Sequence, residues 1–371
     1  MHYGYQIKPH GSYGMRNNIK SLKKFWNNKK VFLTGHTGFK GAWLSIFLKI
    51  LGAKVTGYSL KPNQQTNFFD LANIKNFIDH SIIGDIRDYS KLKKSIYKCS
   101  PDFVVHMAAQ SLVRYSYENP KYTYEVNTLG TVNILDILNE LNFIKAGLII
   151  TTDKVYLNKN KNLFFREQDR LGGVDPYSSS KACAELVVNS YINSFLKNKK
   201  IFVASVRAGN VIGGGDFSKD RIIPDYFRSF KDKKIVLRSP NSIRPWQHVL
   251  DPLYGYLLLL MKLYQKKEYE DHSWNFGPKR SNNKSVLNVV NELNGHFNNS
   301  IKIIKKPILS KKYYESSVLM LDSTKARKTL GWESRYDLKE SLILVANWYK
   351  SFLQKKDLLA ISKKQINSYF K

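Results

Sequence analysis

The feature that most constrains this chain is a glycine-rich turn between an apolar strand and a helix near its start. After the apolar run Val31–Thr34, residues 35–41 read GHTGFKG, with glycines at Gly35, Gly38 and Gly41. In such a turn the first glycine permits a tight bend, the second lets the backbone approach a pyrophosphate, and the third lets helix and strand pack closely. The pattern predicts a dinucleotide-binding loop with phosphate at the helix N-terminus.

The sequence after this loop alternates between strand and helix patterns. Short apolar runs predict strands, and apolar residues at intervals of three and four predict amphipathic helices. The predicted strands are Val31–Thr34, Lys54–Ser59, Phe103–Met107, Leu148–Thr151 and Ile201–Arg207, and the predicted helices are Gly41–Leu51, Tyr89–Cys99, Thr123–Leu141 and Pro176–Lys197. This alternation predicts an α/β fold with a Rossmann-type, doubly wound parallel sheet.

The length of 371 residues favours two domains, because single cores stop growing at about 250–300 residues. After about residue 207, glycines and prolines punctuate short segments, which indicates a smaller C-terminal α/β lobe for substrate. We therefore expect a tail at 1–25, an NAD-binding domain at 26–207 with a later contribution around 235–260, a mainly substrate-binding lobe at 208–350, and a basic tail at 351–371.

The net charge of +31 indicates attraction to an anion, such as nucleic acid, a membrane surface or a phosphate-bearing ligand. Lysines are spread along the chain, which favours exposed faces over a nucleic-acid-binding stripe. No apolar run has the length of a membrane span, and the first residues lack the apolar segment of a signal peptide. Cys99 and Cys183 lack metal-ligand spacing. We expect a cytoplasmic protein without a metal or membrane partner.

Several loop positions are candidates for contact with the cofactor. The second predicted strand ends without the acidic residue that usually binds the NAD ribose, and Lys61 leaves NADP open as an alternative. The candidates are Gly35, Thr37, Gly38, Phe39, Gly41, Ser59, Asp85, Ile86, Ala108, Ala109 and Gln110, together with Tyr177 and Lys181. Packing at strand ends is the alternative interpretation for Asp85, Ile86 and 108–110.

Tyr177 and Lys181 form a YxxxK pattern at the start of a predicted helix, which places the phenol and the ammonium one turn apart on one face. A lysine there is expected to lower the pKa of the phenol, so that it can act as a base on a sugar hydroxyl. Thr152, Asp153 and Lys154 directly follow the strand Leu148–Thr151. The YxxxK pattern makes Tyr177 and Lys181 candidate catalytic residues.

Together, the glycine loop, the Thr-Asp pair and YxxxK resemble the extended short-chain dehydrogenase/reductase family of NAD-dependent epimerases and dehydratases. Within that family the chain is most similar to the CDP-glucose 4,6-dehydratases. The matching stretches run from residue 25 to about 345 and include VFLTGHTGFKGAWLS, TTDKVY, DPYSSSKACAELV and IRPWQHVLDPLYGYLLL.

The resemblance implies an internal redox cycle on CDP-glucose. Tyr177, assisted by Lys181 and Thr152, deprotonates the 4-hydroxyl while carbon 4 gives a hydride to the nicotinamide. Loss of the carbon-5 proton then lets the 6-hydroxyl leave as water with Asp153 as general acid, and the hydride returns to carbon 6. Lys154 stands where dTDP-glucose dehydratases carry a glutamate as the carbon-5 base. It favours the CDP-glucose branch and leaves the identity of that base open.

The resemblance also implies substrate contacts and an assembly. Arg221 and Arg244 suit the diphosphate because a guanidinium can bind it in a forked geometry, and Asn210 and His248 are the other candidate contacts. Helices Thr123–Leu141 and Pro176–Lys197 are expected to pair in a homodimer or homotetramer. The product would serve deoxysugar biosynthesis, as for a lipopolysaccharide O-antigen.

Two other functions stay open. One is another nucleotide-sugar 4,6-dehydratase or 4-epimerase of the same family. The other is a non-catalytic Rossmann scaffold that binds polyanions through its basic surface.

Overall fold

The computed structural model of the protein describes residues 20–159, 163–265, 272–306, 313 and 316–371. The strands in this part of the chain are β1 (Lys30–Thr34), β2 (Lys54–Ser59), β3 (His80–Ile83), β4 (Phe103–His106), β5 (Ala146–Ile150), β6 (Phe164–Phe165), β7 (Phe202–Ala208), β8 (Val211–Ile212), β9 (Lys234–Leu237), β10 (Ile243–Pro245), β11 (Gln247–His248), β12 (Ser273–Phe276), β13 (Asn283–Ser285), β14 (Lys302–Lys305) and β15 (Met320–Leu321).

Seven of these strands form one parallel sheet in the order β3-β2-β1-β4-β5-β7-β12. The central strands β4 and β5 are buried along their whole length, as expected for a parallel sheet that is covered on both faces. The strand order reverses between β1 and β4, and ligands of such sheets bind in the crevice at that point. The predicted Rossmann-type fold is confirmed.

The helices lie on both faces of the sheet and around its C-terminal end. They are α1 (Phe39–Ile50), α2 (Phe68–Leu71), α3 (Ile74–Phe77), α4 (Tyr89–Cys99), α5 (Val113–Glu118), α6 (Pro120–Tyr124), α7 (Gly130–Glu140), α8 (Pro176–Tyr191), α9 (Ile222–Arg228), α10 (Leu250–Gln265), α11 (Val286–Gly295), α12 (Thr324–Leu330), α13 (Leu338–Leu353) and α14 (Leu358–Ser368). Alternate strand residues serve opposite faces: in β1, Phe32 packs with α4, α7 and α8, whereas Val31 and Leu33 pack with α1 and α10.

Helix boundaries follow local capping signals. Helix α1 gives way to Gly52, whose φ is +89°, and α8 begins after Asp175, whose side chain accepts a hydrogen bond from the Ser178 amide (2.9 Å). The helix predicted at Thr123–Leu141 begins earlier, at Pro120, and a π-helical turn over Glu125–Leu129 joins α6 to α7. A second π-helical turn, Ile192–Leu196, extends α8.

Two segments after residue 207 return to the main sheet. Helix α10 packs on β5 and β7. Strand β12, which the sequence analysis does not identify, pairs with β7 as the seventh strand. The remaining two-stranded sheets pair β9 with β14, β10 with β13, β8 with β11 and β6 with β15; β13 contacts α11, and β11 contacts α10 and α13.

Both predicted tails differ from the structure. Residues 351–371 are not a basic tail: after the end of α13 they form α14, which packs on α13 and α1 and buries Ile366, Tyr369 and Phe370. The lysines of this segment obscure its apolar positions in the sequence. At the other end, residues 20–26 are helical and bury Leu22 and Trp26, whereas residues 1–19 lie outside the described part of the chain.

Candidate functional site

The glycine loop lies at the point where the strand order reverses, and its shape excludes side chains. Gly35 has a φ of +78°, and a Cβ there would lie 2.7 Å from the Ala108 nitrogen. A Cβ on Gly41 would lie 2.1 Å from the Gly35 carbonyl oxygen. Gly38 caps α1 without a side chain, so the first amides of the helix stay available to a ligand. This cradle fits the pyrophosphate of a dinucleotide.

The other candidate cofactor residues line up along the ends of β2 and β3. The Thr37 hydroxyl hydrogen-bonds to the Ser59 hydroxyl (2.9 Å), which ties the loop to the end of β2. The Asp85 carboxylate accepts hydrogen bonds from Arg87 (Nη2–Oδ2, 2.7 Å). Ile86 is buried against α7, where a Cβ on Gly130 would meet it at 2.5 Å. The structure therefore places Thr37, Ser59 and Asp85 near the ends of β2 and β3 and gives the Ile86 side chain a packing role.

The segment after β4 contacts the glycine loop through its backbone. The Ala108 amide donates to the Thr34 hydroxyl (3.1 Å), and Ala109 follows it. Gln110 is occupied within the protein: its amide donates to Asn127 (2.9 Å) and its side chain donates to Thr123 (3.0 Å). Gln110 thus fixes this segment to α6 and to the π-helical turn Glu125–Leu129.

A cavity of about 820 Å³ opens beside the glycine loop. Thr152, Asp153, Lys154 and Tyr177 line it together with Phe39. Thr152 and Asp153 extend from the end of β5, and Tyr177 stands in the first turn of α8. The structure therefore gathers Thr152, Asp153, Lys154 and Tyr177 at the carboxyl edge of the sheet, whereas Lys181, one turn further along α8, does not line the cavity.

The ionisation of Tyr177 differs from the sequence-based expectation. Burial raises the pKa of the Tyr177 phenol to about 12, although a hydrogen bond with Thr152 and the charge of Arg221 oppose this shift. Thr152 and Arg221, rather than the expected Lys181, are the groups that lower the Tyr177 pKa, and burial together with the charge of Lys40 lowers the pKa of Lys181 itself to about 7. Lys181 donates to the Ile150 carbonyl (2.9 Å).

Lys40 is a cation of the site that the sequence analysis missed. It lines the cavity from the first turn of α1, and burial together with the charge of Arg221 lowers its pKa to about 8. A lysine in the first turn of a helix opposes the helix dipole, so its position in the glycine loop was an available signal.

Asp153 is almost fully buried, with 1% of its surface exposed. Its Oδ1 accepts hydrogen bonds from the Thr152 hydroxyl (3.0 Å) and the Lys154 ammonium (3.4 Å). Its Oδ2 has no hydrogen-bond partner among the described residues. A buried carboxylate oxygen without a partner is costly in a folded protein, which favours a functional role for this oxygen.

Three of the four predicted substrate contacts line the same cavity: Asn210, Arg221 and Arg244. The Oδ1 of Asn210 is buried and lacks a partner in the described part of the chain. Arg221 pairs with Asp216 (3.0 Å), and Arg244 donates to the Ile243 carbonyl (2.9 Å). The cavity therefore presents guanidinium groups to an anionic ligand.

The structure does not bring His248 to this cavity. Its ring is fully buried between Trp43 and Tyr336, and burial lowers its pKa to about 3. Its Nδ1 accepts a hydrogen bond from the Leu250 amide (3.4 Å). The ring serves the core, because the motif that carries it enters a strand whose side chains at that point face inward.

A buried ion pair joins α8, which carries Tyr177 and Lys181, to β7. Glu185, one turn after Lys181 on α8, pairs with Arg207 of β7 (2.8 Å) and also bonds to the Thr151 hydroxyl. Glu185 and Arg207 are 3% and 2% exposed, so their charges depend on each other. The sequence indicates Glu185 only by its position, two turns after Tyr177 on the same face of the helix.

The described residues contain neither a candidate membrane-spanning helix nor a candidate metal site. No helix among them has the length and apolar content of a membrane span. They also contain no group of three or more His, Cys, Asp or Glu side chains arranged to hold a metal ion.

The fold and the Thr-Asp-Tyr-Lys set define a protein of the extended short-chain dehydrogenase/reductase class. The family model described as GDP-mannose 4,6 dehydratase matches residues 32–343, and the chain belongs to that family. A CDP-glucose 4,6-dehydratase of Salmonella typhimurium is 43% identical over 94% of this chain and 98% of the relative. A UDP-glucose 4-epimerase of Mycoplasma genitalium is 23% identical over 87% and 97%.

Solved structures share the fold. A dTDP-glucose 4,6-dehydratase from Bacillus anthracis in complex with NAD aligns with a TM-score of 0.71 at 21% identity, covering 89% of this chain and 99% of that one. A UDP-glucose 4-epimerase from Thermotoga maritima with UDP-glucose aligns with a TM-score of 0.74 at 19% identity, covering 87% and 99%.

Two glycine substitutions should separate the fold of the loop from its ligand binding. Gly35→Ala should lower the melting temperature, because its left-handed backbone and the close Ala108 nitrogen leave no room for a Cβ. Gly38→Ala should fold normally, since its φ is −80° and the nearest atom is 3.4 Å away. It should nevertheless weaken dinucleotide binding by about tenfold, because the methyl group obstructs the pyrophosphate. Thermal unfolding and titration with NAD measure both effects, and equal melting temperatures for the two variants would contradict the assignment.

Proposed function

We propose that the protein is a CDP-glucose 4,6-dehydratase, which converts CDP-D-glucose to CDP-4-dehydro-6-deoxy-D-glucose and water. The similarity to the Salmonella typhimurium enzyme supports the nucleotide sugar. The observation that carries the reaction type is the buried, unpartnered Oδ2 of Asp153 beside Tyr177 in the cavity.

The residues present fit NAD as the cofactor. Gly35, Gly38 and Gly41 would hold its pyrophosphate, and Thr37 with Ser59 would border its ribose. When bound, the nicotinamide takes up a hydride from carbon 4 of the sugar and returns it to carbon 6, so that no net oxidation occurs. The end of β2 presents hydroxyl groups, and Lys61 is exposed in the loop beyond it.

Tyr177 accepts the proton of the sugar 4-hydroxyl in this proposal. Thr152, which shares a hydrogen bond with the phenol, orients it and stabilises its ionised form. Lys181, one turn after Tyr177 on α8, adds positive charge to the site when it is protonated. Because the pKa of the phenol is raised by burial, the free protein holds Tyr177 protonated at neutral pH, and it relies on neighbouring cations to favour the phenolate.

Asp153 and Lys154 carry the dehydration. The Oδ2 of Asp153 protonates the leaving 6-hydroxyl, for which an oxygen free of other hydrogen bonds is required. Lys154, paired with Asp153 and 32% exposed, is the candidate base for the carbon-5 proton, after its ammonium has passed one proton to the Asp153 carboxylate and so made Asp153 the acid. Epimerases that oxidise carbon 4 have no leaving hydroxyl to protonate, so the acid favours dehydratase over epimerase.

The cavity walls bind the nucleotide diphosphate. Arg221 and Arg244 face the same space as Tyr177, and Asn210 offers a buried amide for a hydrogen bond with the substrate. The charge of Arg221 also lowers the pKa of the phenol. The Arg221 guanidinium therefore contributes both to substrate binding and to proton transfer.

We further propose a cytoplasmic homodimer or homotetramer that supplies deoxysugar biosynthesis, as for a lipopolysaccharide O-antigen. The helices expected to pair expose apolar side chains: Leu129 is 55% exposed and Leu186 on α8 is 59% exposed. Sedimentation of the purified protein should show an oligomer, and Leu186→Glu should release monomers. A wild-type protein that sediments as a monomer would contradict this arrangement.

A nucleotide-sugar panel tests the substrate. The purified protein with NAD should form a 4-keto sugar, detected by its alkaline absorbance, from CDP-glucose and at lower rates or not at all from dTDP-, GDP- and UDP-glucose. Product from another nucleotide alone would assign the chain to a different 4,6-dehydratase, and inversion at carbon 4 would assign it to the epimerases. Polyanion binding that survives Tyr177→Phe, without turnover of any sugar, would favour the scaffold alternative.

Asp153→Asn should separate the two half-reactions. Water loss should slow by about 10²–10⁴-fold, because the amide cannot deliver a proton, while reduction of NAD by the sugar stays measurable. Rapid-mixing absorbance of the reduced nicotinamide, with product analysis, reports both steps. Tyr177→Phe is the matched control, in which both steps should fail. If Asp153→Asn slowed both steps equally, Asp153 would be positioning substrate rather than donating a proton.

A further inference from the structure

Residues 216–221, here called the strap, contribute Asp216, Lys219, Asp220 and Arg221 to the lining of the cavity. Asp220 in this strap has a φ of +59°, a left-handed conformation that non-glycine residues adopt at a cost. Such a conformation persists only where the surrounding contacts over-determine it, and it is concentrated at ligand clamps and functional sites. The contacts of Asp220 therefore bear on what the strap does.

The Asp220 carboxylate holds two arginines from different walls. Its Oδ1 lies 2.9 Å from the Nη1 of Arg238, which follows β9, and 3.5 Å from the Nη1 of Arg114 on α5. All three residues line the cavity. The Arg114 guanidinium also lies over the ring of Tyr313, 5.0 Å from its centroid.

The remainder of the strap is anchored on both sides. Arg221 donates to the Ser111 hydroxyl of the nucleotide domain (3.0 Å) and to Asp216 within the strap (3.0 Å). Arg228 on α9 donates to the carbonyls of Phe217 and Ser218 (3.0 Å each). Asp220 is thus one fixed point in a strap that is held at several positions.

Stability alone does not account for the arginine arrangement. The three side chains are 31–40% exposed, and ion pairs with such exposure contribute little to folding. Two guanidinium groups on one carboxylate leave a net positive charge, which a further anion can neutralise. Each pair with Asp220 involves one Nη1, and a guanidinium carries five N–H groups, so each arginine can hold Asp220 and a phosphate oxygen together.

We propose that Asp220 is a positioning residue for substrate binding, which fixes Arg114 and Arg238 so that their remaining N–H groups meet the diphosphate of the nucleotide sugar. This inference rests on the proposed function for the identity of the ligand. It adds three residues, Arg114, Asp220 and Arg238, to the substrate site.

Titration with CDP tests the proposal independently of turnover. Asp220→Asn keeps the shape and tolerates the left-handed backbone but removes the charge, and it should raise the Kd for CDP about 5–20-fold. Asp220→Gly, which relieves the backbone, should raise it equally. Asp232→Asn, an exposed acid elsewhere in the lobe, removes the same charge and should leave the Kd unchanged. In turnover, the Asp220 variants should raise KM while kcat stays within about twofold.

The opposite results would overturn the proposal. An unchanged Kd with a lower melting temperature would make Asp220 a structural residue only. A lower Kd would mean that Asp220 competes with the diphosphate for the arginines. A double-mutant cycle adds a direct test: the effects of Asp220→Asn and Arg114→Gln on the Kd should be less than additive. Failure of the wild-type protein to turn over any nucleotide sugar would count against the proposed function, whereas the strap is judged by CDP binding.

Discussion

The close approach of the glycine loop to the strand ends is the constraint on which the site depends. Gly41 packs against the Gly35 carbonyl, and Gly35 packs against Ala108, so the N-terminus of α1 lies directly at the edge of the sheet. Lys40 directly precedes Gly41, and the packing of the loop places the Lys40 side chain at the cavity. Its charge then contributes to the lowered pKa of Lys181, after burial. Backbone packing in the loop therefore influences the pKa of Lys181 on α8.

Two lysines of the site, Lys40 and Lys181, have lowered pKa values, whereas the pKa of Arg221 is raised by Asp216. Burial lowers the pKa of Lys40 to about 8 and that of Lys181 to about 7, and mutual repulsion among the cations adds to each shift. A diphosphate would bring negative charge into this space and relieve the repulsion, which favours the protonated lysines. Protonated lysines in turn favour the phenolate of Tyr177. Binding of an anionic substrate thus supports the first proton transfer.

The sequence was sufficient for the parts of the protein that local patterns determine. The apolar strand runs, the glycine loop and the YxxxK helix lie where they were predicted, because strand alternation, backbone geometry and helix spacing are local properties. The pKa of Tyr177 was not accessible, since it depends on burial by residues far apart in the chain. Strand β12 and helix α14 were missed because lysines and polar residues obscure their buried positions, and His248 was misplaced because a motif does not show which way its side chains face.

The fold does not distinguish the reactions of this class, since both an epimerase and a dehydratase align over most of the chain at similar TM-scores. In the proposed function the distinction rests on single atoms, above all the unpartnered Oδ2 of Asp153. Charge, like the fold, is specific only at particular residues. The net charge of +31 is spread over exposed lysines and selects no ligand, whereas the arginines of the cavity are held by Asp216 and Asp220 in fixed positions. Asp216 and Asp220 reduce the overall attraction of the cavity for anions, and in the proposed substrate site they also fix the directions from which a diphosphate is bound.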